Sequence, residues 1–305
     1  MKFLVQSLKH IYPLTLKKNT MPFFKTSILF VLCTFISALT FGQDVDSSKT
    51  TNEVTETEFK NLVWADEFEG EGAIDSEKWF HQTKLPPGGS WWGGIIQHYT
   101  KREANTYVKD GFLHLVAKKE TFKTQGKTKR YTSARLNSKF AFTYGKVEIK
   151  AKLPKGKGTW PAIWMLNQNI NENGAYWEKK GYGKVNWPYC GEIDILEHWG
   201  ANQDYVSSAL HNGSSYGNTV KNVGGQKVQN ASDAFHIYTL EWNSEKMVFA
   251  VDGKTHYEYH PEIKNQNTWP YDSDYYLILN IAIKPDIDPE FVESAMVVDY
   301  IRVYQ

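Results

Sequence analysis

The sequence is short of cysteine, of long apolar runs and of charge of one sign, and each shortage removes a class of protein. Two cysteines, Cys33 and Cys190, stand among 305 residues. Cys33 lies in an amino-terminal apolar run read below as a removable signal, so Cys190 is left alone and no intramolecular disulfide is expected. The Val31-Leu32 pair before Cys33 lacks the small residues of a lipidation site. Cys190 reads as a small buried residue ahead of a strand. No His/Cys cluster indicates zinc. Formal net charge is +1 with no long block of one sign, which leaves no electrostatic footprint for nucleic acid. The apolar run Ser27–Leu39 is too short to span a bilayer. Long helical periodicity is also missing.

That same run follows Lys17, Lys18 and Lys25 and ends in Ala38-Leu39-Thr40-Phe41-Gly42. Residues 1–42 therefore read as a secretory signal cleaved after Gly42, with Met21 offering a more compact start. The expected location is extracellular or periplasmic. Residues 43–60 form a polar leader. From 61 to 305 no linker, repeat or membrane span interrupts the chain, so one domain with a substantial core, acting as a monomer, is expected. The sequons at Asn212 and Asn230 read as chance matches.

What the chain does contain is strand pattern. Val147, Ile149, Ala151 and Leu153 alternate with Lys146, Glu148, Lys150 and Lys152, as in a half-buried antiparallel strand. Lys246–Val251 runs through Asp252-Gly253 into Lys254–Tyr259, a tight hairpin signal. Tyr276–Ile283 and Met296–Tyr304 are further β runs. Many short strands with turns between them predict a sandwich or barrel. Aromatic residues make up 15% of the chain, and seven of the eleven Trp fall between Trp91 and Trp199. Their clustering around one motif points to a ligand groove.

That motif is Gly191-Glu-Ile-Asp-Ile-Leu-Glu-His198. On a regular strand Glu192 and Asp194 share a face and Glu197 does not, while Leu196 falls out of phase with Ile193 and Ile195. One extra residue, a β-bulge near Leu196, repairs both faults. It sets three carboxylates on one face and three apolar residues toward a core. Crowded like charges are not something folding alone requires. Two carboxyls beside tryptophans suit glycoside hydrolysis, because sugar C–H faces stack on indole rings. Glu192 and Glu197 have Cα atoms about 13 Å apart on such a strand. Leaning side chains could approach the roughly 5–5.5 Å spacing of a retaining enzyme. Asp194 between them raises a neighbour's pKa by repulsion and helps keep one Glu protonated.

The motif resembles the catalytic signature of glycoside hydrolase family 16 in its bulged E-x-D-x-x-E form, typical of laminarinase-like members, agarases and carrageenases. Val63-Trp-Ala-Asp-Glu-Phe68, Tyr131-Thr-Ser-Ala-Arg-Leu136, Gly158-Thr-Trp-Pro-Ala-Ile-Trp-Met-Leu166 and Val298-Asp-Tyr-Ile-Arg-Val-Tyr304 match in order, so the resemblance covers most of residues 62–305. It implies an all-β fold, a two-sheet antiparallel β-sandwich of jelly-roll, concanavalin-like form with a concave cleft. By resemblance Glu192 is the nucleophile, Glu197 the acid/base and Asp194 the assisting carboxylate. Trp160, Trp164, Arg135, Asn105 and His211 are then cleft residues, and Trp199 is either a subsite floor or core. Catalysis requires no cofactor. A structural Ca²⁺ held by Glu67, the Gly111 carbonyl and Asp299 is implied in turn. The chain departs from the family pattern in the long Asn167–Cys190 segment, in Gly89–Gly94 and in Ile281–Pro289. The reading is a secreted retaining endo-β-glycanase of β-1,3-glucan. Mixed-linkage β-glucan, a red-algal galactan, transglycosylation, and a non-catalytic glycan-binding protein are the alternatives.

Overall fold

A computed structural model describes residues 59–305; the expected signal and most of the expected leader lie outside the described residues. Two sheets face each other and neither closes on itself. The seven-stranded sheet runs in the order Val223–Lys227, Tyr205–His211, Glu192–His198, Thr159–Asn167, Tyr275–Ile283, Arg135–Phe142, Trp79–His81. The ten-stranded sheet has the order Lys254–Tyr259, Met247–Val251, His236–Trp242, Gly145–Lys152, Glu293–Tyr304, Phe112–Thr124, Lys127–Ser133, His98–Tyr99. Leu62–Asp66 and Thr106–Lys109 add to it by pairing with Glu293–Tyr304 and Phe112–Thr124. All named pairings are antiparallel except the short parallel match of His98–Tyr99 with Lys127–Ser133. This is the antiparallel jelly-roll sandwich that the resemblance implies, and the sandwich of the two folds that the strand pattern allows. Among the described residues the helical segments are three 3₁₀ turns.

Period-2 burial explains why these segments pair as they do. Along Gly145–Lys152 every second residue is buried, with the lysines and Glu148 half-exposed between them. The Asp252-Gly253 turn has φ values of 50° and 75°, the conformation that matches the twist of a two-residue hairpin. Tyr275–Ile283, covered on both faces, is buried throughout. Ile149, Val147, Leu240, Phe249 and Trp242 of one sheet meet Ile193, Leu196, Leu210 and Leu277 of the other in a single core.

A second, smaller apolar cluster forms on the far side of the seven-stranded sheet. Leu166, Tyr276 and Ile278 meet Ile170, Cys190, Trp177 and Val185 there. The long Asn167–Cys190 segment is thus a packed cover over one end of the sheet. Cys190 is 1% exposed, and burial raises its thiol pKa far above the ordinary value.

Since Leu196 packs in the main core, Leu196→Ala should cost about 2–5 kcal/mol, read from urea unfolding. A loss below about 1 kcal/mol would mean that the side chain faces the groove and that the bulge is misplaced.

Candidate active site

The strand Glu192–His198 follows a position only glycine fits. Gly191 has φ +75°, and a Cβ there would lie 2.2 Å from the Tyr275 hydroxyl, which itself donates to the Cys190 carbonyl at 2.6 Å. From that anchor the strand pairs Glu192 with His211 and Leu166, and Asp194 with Ala209 and Trp164. Glu197 then pairs with Ser207 and Ala162. Three steps on this strand match two on each neighbour, so one residue is in excess between Asp194 and Glu197. Ile193, Ile195 and Leu196 are all 2% exposed or less, inside the main core. The three carboxylates share the opposite face, as the broken alternation predicts.

Each outer carboxylate takes an indole N–H. Trp187 Nε1 donates to Glu192 Oε2 at 3.1 Å, and Trp160 Nε1 donates to Glu197 Oε1 at 3.0 Å. His211 approaches from the neighbouring strand, its Nε2 3.3 Å from Asp194 Oδ2 and 3.6 Å from Glu192 Oε1. The Gly217 N–H donates to His211 Nδ1 at 3.0 Å, which places the ring proton on Nε2, facing the carboxylates. Asp194 Oδ2 is buried and makes no well-aligned hydrogen bond.

Burial raises the pKa of all three acids. Glu192 is pushed up by burial and then by Asp194 and Glu197, opposed by His211 and the Trp187 hydrogen bond. Asp194 is pushed up by burial. Glu197 rises to about 8, through burial first and Asp194 second, with Trp160 pulling it down. Three such groups do not all ionise near neutrality. Glu192 has the Trp187 N–H on one oxygen and His211 Nε2 3.6 Å from the other, and is the best placed to carry charge. Glu197 has one donor and is the best placed to keep a proton. Unequal donors on two neighbouring carboxyls are a means by which one can serve as base and the other as acid.

The groove beside the acids is aromatic. Trp199 is half-buried and stacks on Trp160 at 5.9 Å, so it belongs to the groove rather than the core. The Trp92–Gly94 turn reaches Trp160 through Gly93, and Lys284 lies 4.9 Å above the same indole while donating to the Gly93 carbonyl. At the other end Trp187 meets Tyr216 edge to face, and both are exposed, as is Tyr189. Trp164 is half-buried and donates to Asn280 at 2.7 Å.

Two expected groove residues are buried. Arg135 is 4% exposed. It donates to Gln82 and Glu172 at 2.9 and 2.7 Å, and its guanidinium lies 4.8 Å from the Trp164 ring. It packs against Trp164 on the same sheet face as Glu197, covered by its neighbours. Asn105 is fully buried, its amide donating to Val116 and Thr132 and its oxygen accepting from Thr100 and Arg102. Every polar atom is satisfied internally, so it is a structural residue of the ten-stranded sheet. The sequence reading missed Trp187, Glu172, Gln82 and Asn280. The sequence signal for Trp187 is the aromatic content of the long segment that carries it.

The proposed calcium donors do not fit an ion as they stand. Both oxygens of Glu67 accept from Arg302, at 2.8 and 2.9 Å, and Asp299 pairs with Lys150 at 2.7 Å. Gly111 lies in the turn between Thr106–Lys109 and Phe112–Thr124. A hard cation needs several free oxygens, and here cationic side chains already hold the carboxylates. Glu192, Asp194 and His211 bring possible ligand atoms within 4.8 Å of one another. A ligating His, however, normally donates its second ring nitrogen, whereas His211 accepts there from Gly217. The cluster is therefore built to hold protons.

Groups that bind protons more tightly folded than unfolded stabilise the protein at low pH and lose that contribution as pH rises through the folded value. Removing the central acid should therefore help most on the alkaline side. Asp194→Asn is expected to melt close to the wild type at pH 4–5 and several degrees above it at pH 8, by calorimetry. A difference that does not grow with pH would contradict the burial of these charges.

The model of glycosyl hydrolases family 16 matches residues 97–302. A beta-glucanase of Rhodothermus marinus is 35% identical over 304 residues, covering 94% of this chain and 98% of the relative. Among solved structures, a variant of LamA from Z. galactanivorans in complex with laminaritriose and laminaritetraose superposes with TM-score 0.74. It is 46% identical and covers 81% of this chain and all of its own. The laminarinase of Flavobacterium sp. UMI-01 gives TM-score 0.69 at 37% identity, covering 80% of this chain and 100% of its own. Among the described residues no helix is long and apolar enough to cross a membrane. With the bulged carboxylate strand, the sandwich and these matches together, the chain belongs to the glycosyl hydrolases of family 16, enzymes whose catalysis needs no cofactor.

Proposed function

We propose that this protein is a secreted, retaining endo-β-glycanase whose substrate is β-1,3-glucan of the laminarin kind. The observation that carries the reading is the bulged strand, with Glu192 and Glu197 on one face and one indole N–H on each. Glu192 attacks the anomeric carbon while Glu197 protonates the departing glycosidic oxygen, giving a covalent glycosyl-enzyme. Glu197, now ionised, takes a proton from water, which attacks the same carbon and releases Glu192. Asp194 between them raises the proton affinity of Glu197, and His211 faces both Asp194 and Glu192.

Aromatic side chains on both sides of the acids favour binding within a chain rather than at its end. Trp92, Trp160 and Trp199 lie toward Glu197, and Trp187, Tyr189 and Tyr216 toward Glu192. The β-1,3-glucan assignment is supported by relatives named as laminarinases and by the laminari-oligosaccharides held in the 46% identical structure. Secretion is supported by the amino-terminal pattern of residues 1–42.

Glu192→Gln and Glu197→Gln should each reduce release of reducing ends from laminarin to background. The wild type should cleave laminarin ahead of lichenan and leave agarose, porphyran and carrageenan intact. Full activity in Glu192→Gln would sink the mechanism, and cleavage of a galactan but not laminarin would sink the substrate assignment. The indole donors predict a pH signature as well. Trp187→Phe removes a donor from the ionised Glu192 and should move the acid limb of kcat/KM up. Trp160→Phe removes one from Glu197 and should move the alkaline limb up. Each shift is expected to be roughly 1 pH unit, the scale of one hydrogen bond to a charged group. Unmoved limbs in both variants would contradict these proton assignments.

A further inference from the structure

A net charge of +1 conceals a local excess of cations on one hairpin. Residues 118–130 carry Lys118, Lys119, Lys123, Lys127, Lys129 and Arg130 against the single acid Glu120. Glu120 is taken by Arg102, and Lys118 is taken by Glu293. Lys119, Lys129 and Arg130 remain without a carboxylate partner among the described residues, and they line a cavity of about 490 Å³. Tyr131, Pro285 and Ile287 form apolar parts of its wall.

We propose that this cavity is a second carbohydrate site, one that holds an anionic sugar unit, sulfated or carboxylated, of a polysaccharide. Lys129 is half-buried, and its ammonium makes a single hydrogen bond, to the Gln97 carbonyl at 3.0 Å. A half-buried ammonium with two donors left over and no counter-charge is a ready partner for an anion. Lys119 donates to the Pro289 carbonyl across the cavity rim, and Arg130 adds a planar donor fork suited to a sulfate or carboxylate. The loop closing the far side carries Asp286, Asp288 and Glu290, all exposed, but none of them lines the cavity. Pro285 and Pro289, exposed beside the cations, offer an apolar patch to a pyranose ring bearing a charged group. Nucleic acid would want exposed rings for base stacking, and Tyr131, the aromatic residue in the wall, is 7% exposed.

The cavity sits beside the hydrolytic groove. Pro285 follows Lys284, whose ammonium lies over Trp160, and Trp160 in turn donates to Glu197. A polysaccharide anchored in the cavity would be held next to the Glu197 end of the groove. This goes beyond the proposed hydrolysis, because it does not depend on which glycosidic bond is cut.

The test is affinity electrophoresis of the whole protein in gels containing κ-carrageenan, alginate or neutral pullulan. The wild type should be retarded by carrageenan, by alginate or by both, and not by pullulan. Retardation by carrageenan alone identifies the sulfate ester, and by alginate alone the carboxylate. Lys129→Gln with Arg130→Gln should weaken retention at least fivefold and leave laminarihexaose hydrolysis within twofold of wild type. Lys227→Gln with Lys254→Gln, an equal charge change on remote strands, should leave retention within twofold. The proposal is overturned by no retention in either anionic gel, by equal losses in the two double variants, or by stronger retention on single-stranded DNA than on both polysaccharides.

Discussion

One surplus residue between Asp194 and Glu197 is the constraint on which the rest of the site depends. Without it, the period-2 geometry of a strand would turn Glu197 into the core and Leu196 into the groove. The sandwich does not allow that, because burying an isolated carboxylate costs far more than burying a leucine returns. The core therefore holds Ile193, Ile195 and Leu196 on its side, and three acids are forced together on the other. Their proximity is unfavourable by itself. It persists because the apolar face opposite is packed against the second sheet.

Much of the remaining structure answers the crowding. The long segment before Gly191 folds over its own apolar cluster and thereby delivers Trp187 to Glu192. It also delivers Glu172 to Arg135, a buried pair packed beside Trp164. Removing one partner of such a pair typically costs about 3–5 kcal/mol. The turn at Gly217 fixes the His211 tautomer from behind. Donors thus arrive from three separate elements at carboxylates that the strand alone would leave mutually repelling. The result is three buried acids whose proton affinities are all raised, with different donors on each.

The parts that sequence made legible are those with short-range periodicity. Alternation marked Gly145–Lys152, Asp252-Gly253 marked its hairpin, and the broken alternation at Leu196 located the bulge. Trp160 and His211, named from the resemblance as cleft residues, lie against the acids. What stayed hidden were contacts made across long separations. Nothing near Glu67 announces Arg302, 235 positions away, which occupies both its oxygens. Asn105 and Arg135 look like groove residues until their partners Thr132, Gln82 and Glu172 come in from other strands. Polar residues read alike in sequence whether their hydrogen bonds point to a ligand or to a neighbour. Burial decides between the two, and burial is a property of the assembled sheets.

The central claim is that Glu192 attacks carbon while Glu197 manages the proton, with the bulge holding both on one face. The stereochemistry of the first product reports on this directly. Proton NMR during hydrolysis of a laminari-oligosaccharide should show the β-anomer of the new reducing end appearing first, followed by mutarotation to the mixture, as two successive inversions demand. Initial release of the α-anomer would mean a single displacement by water and would contradict the account.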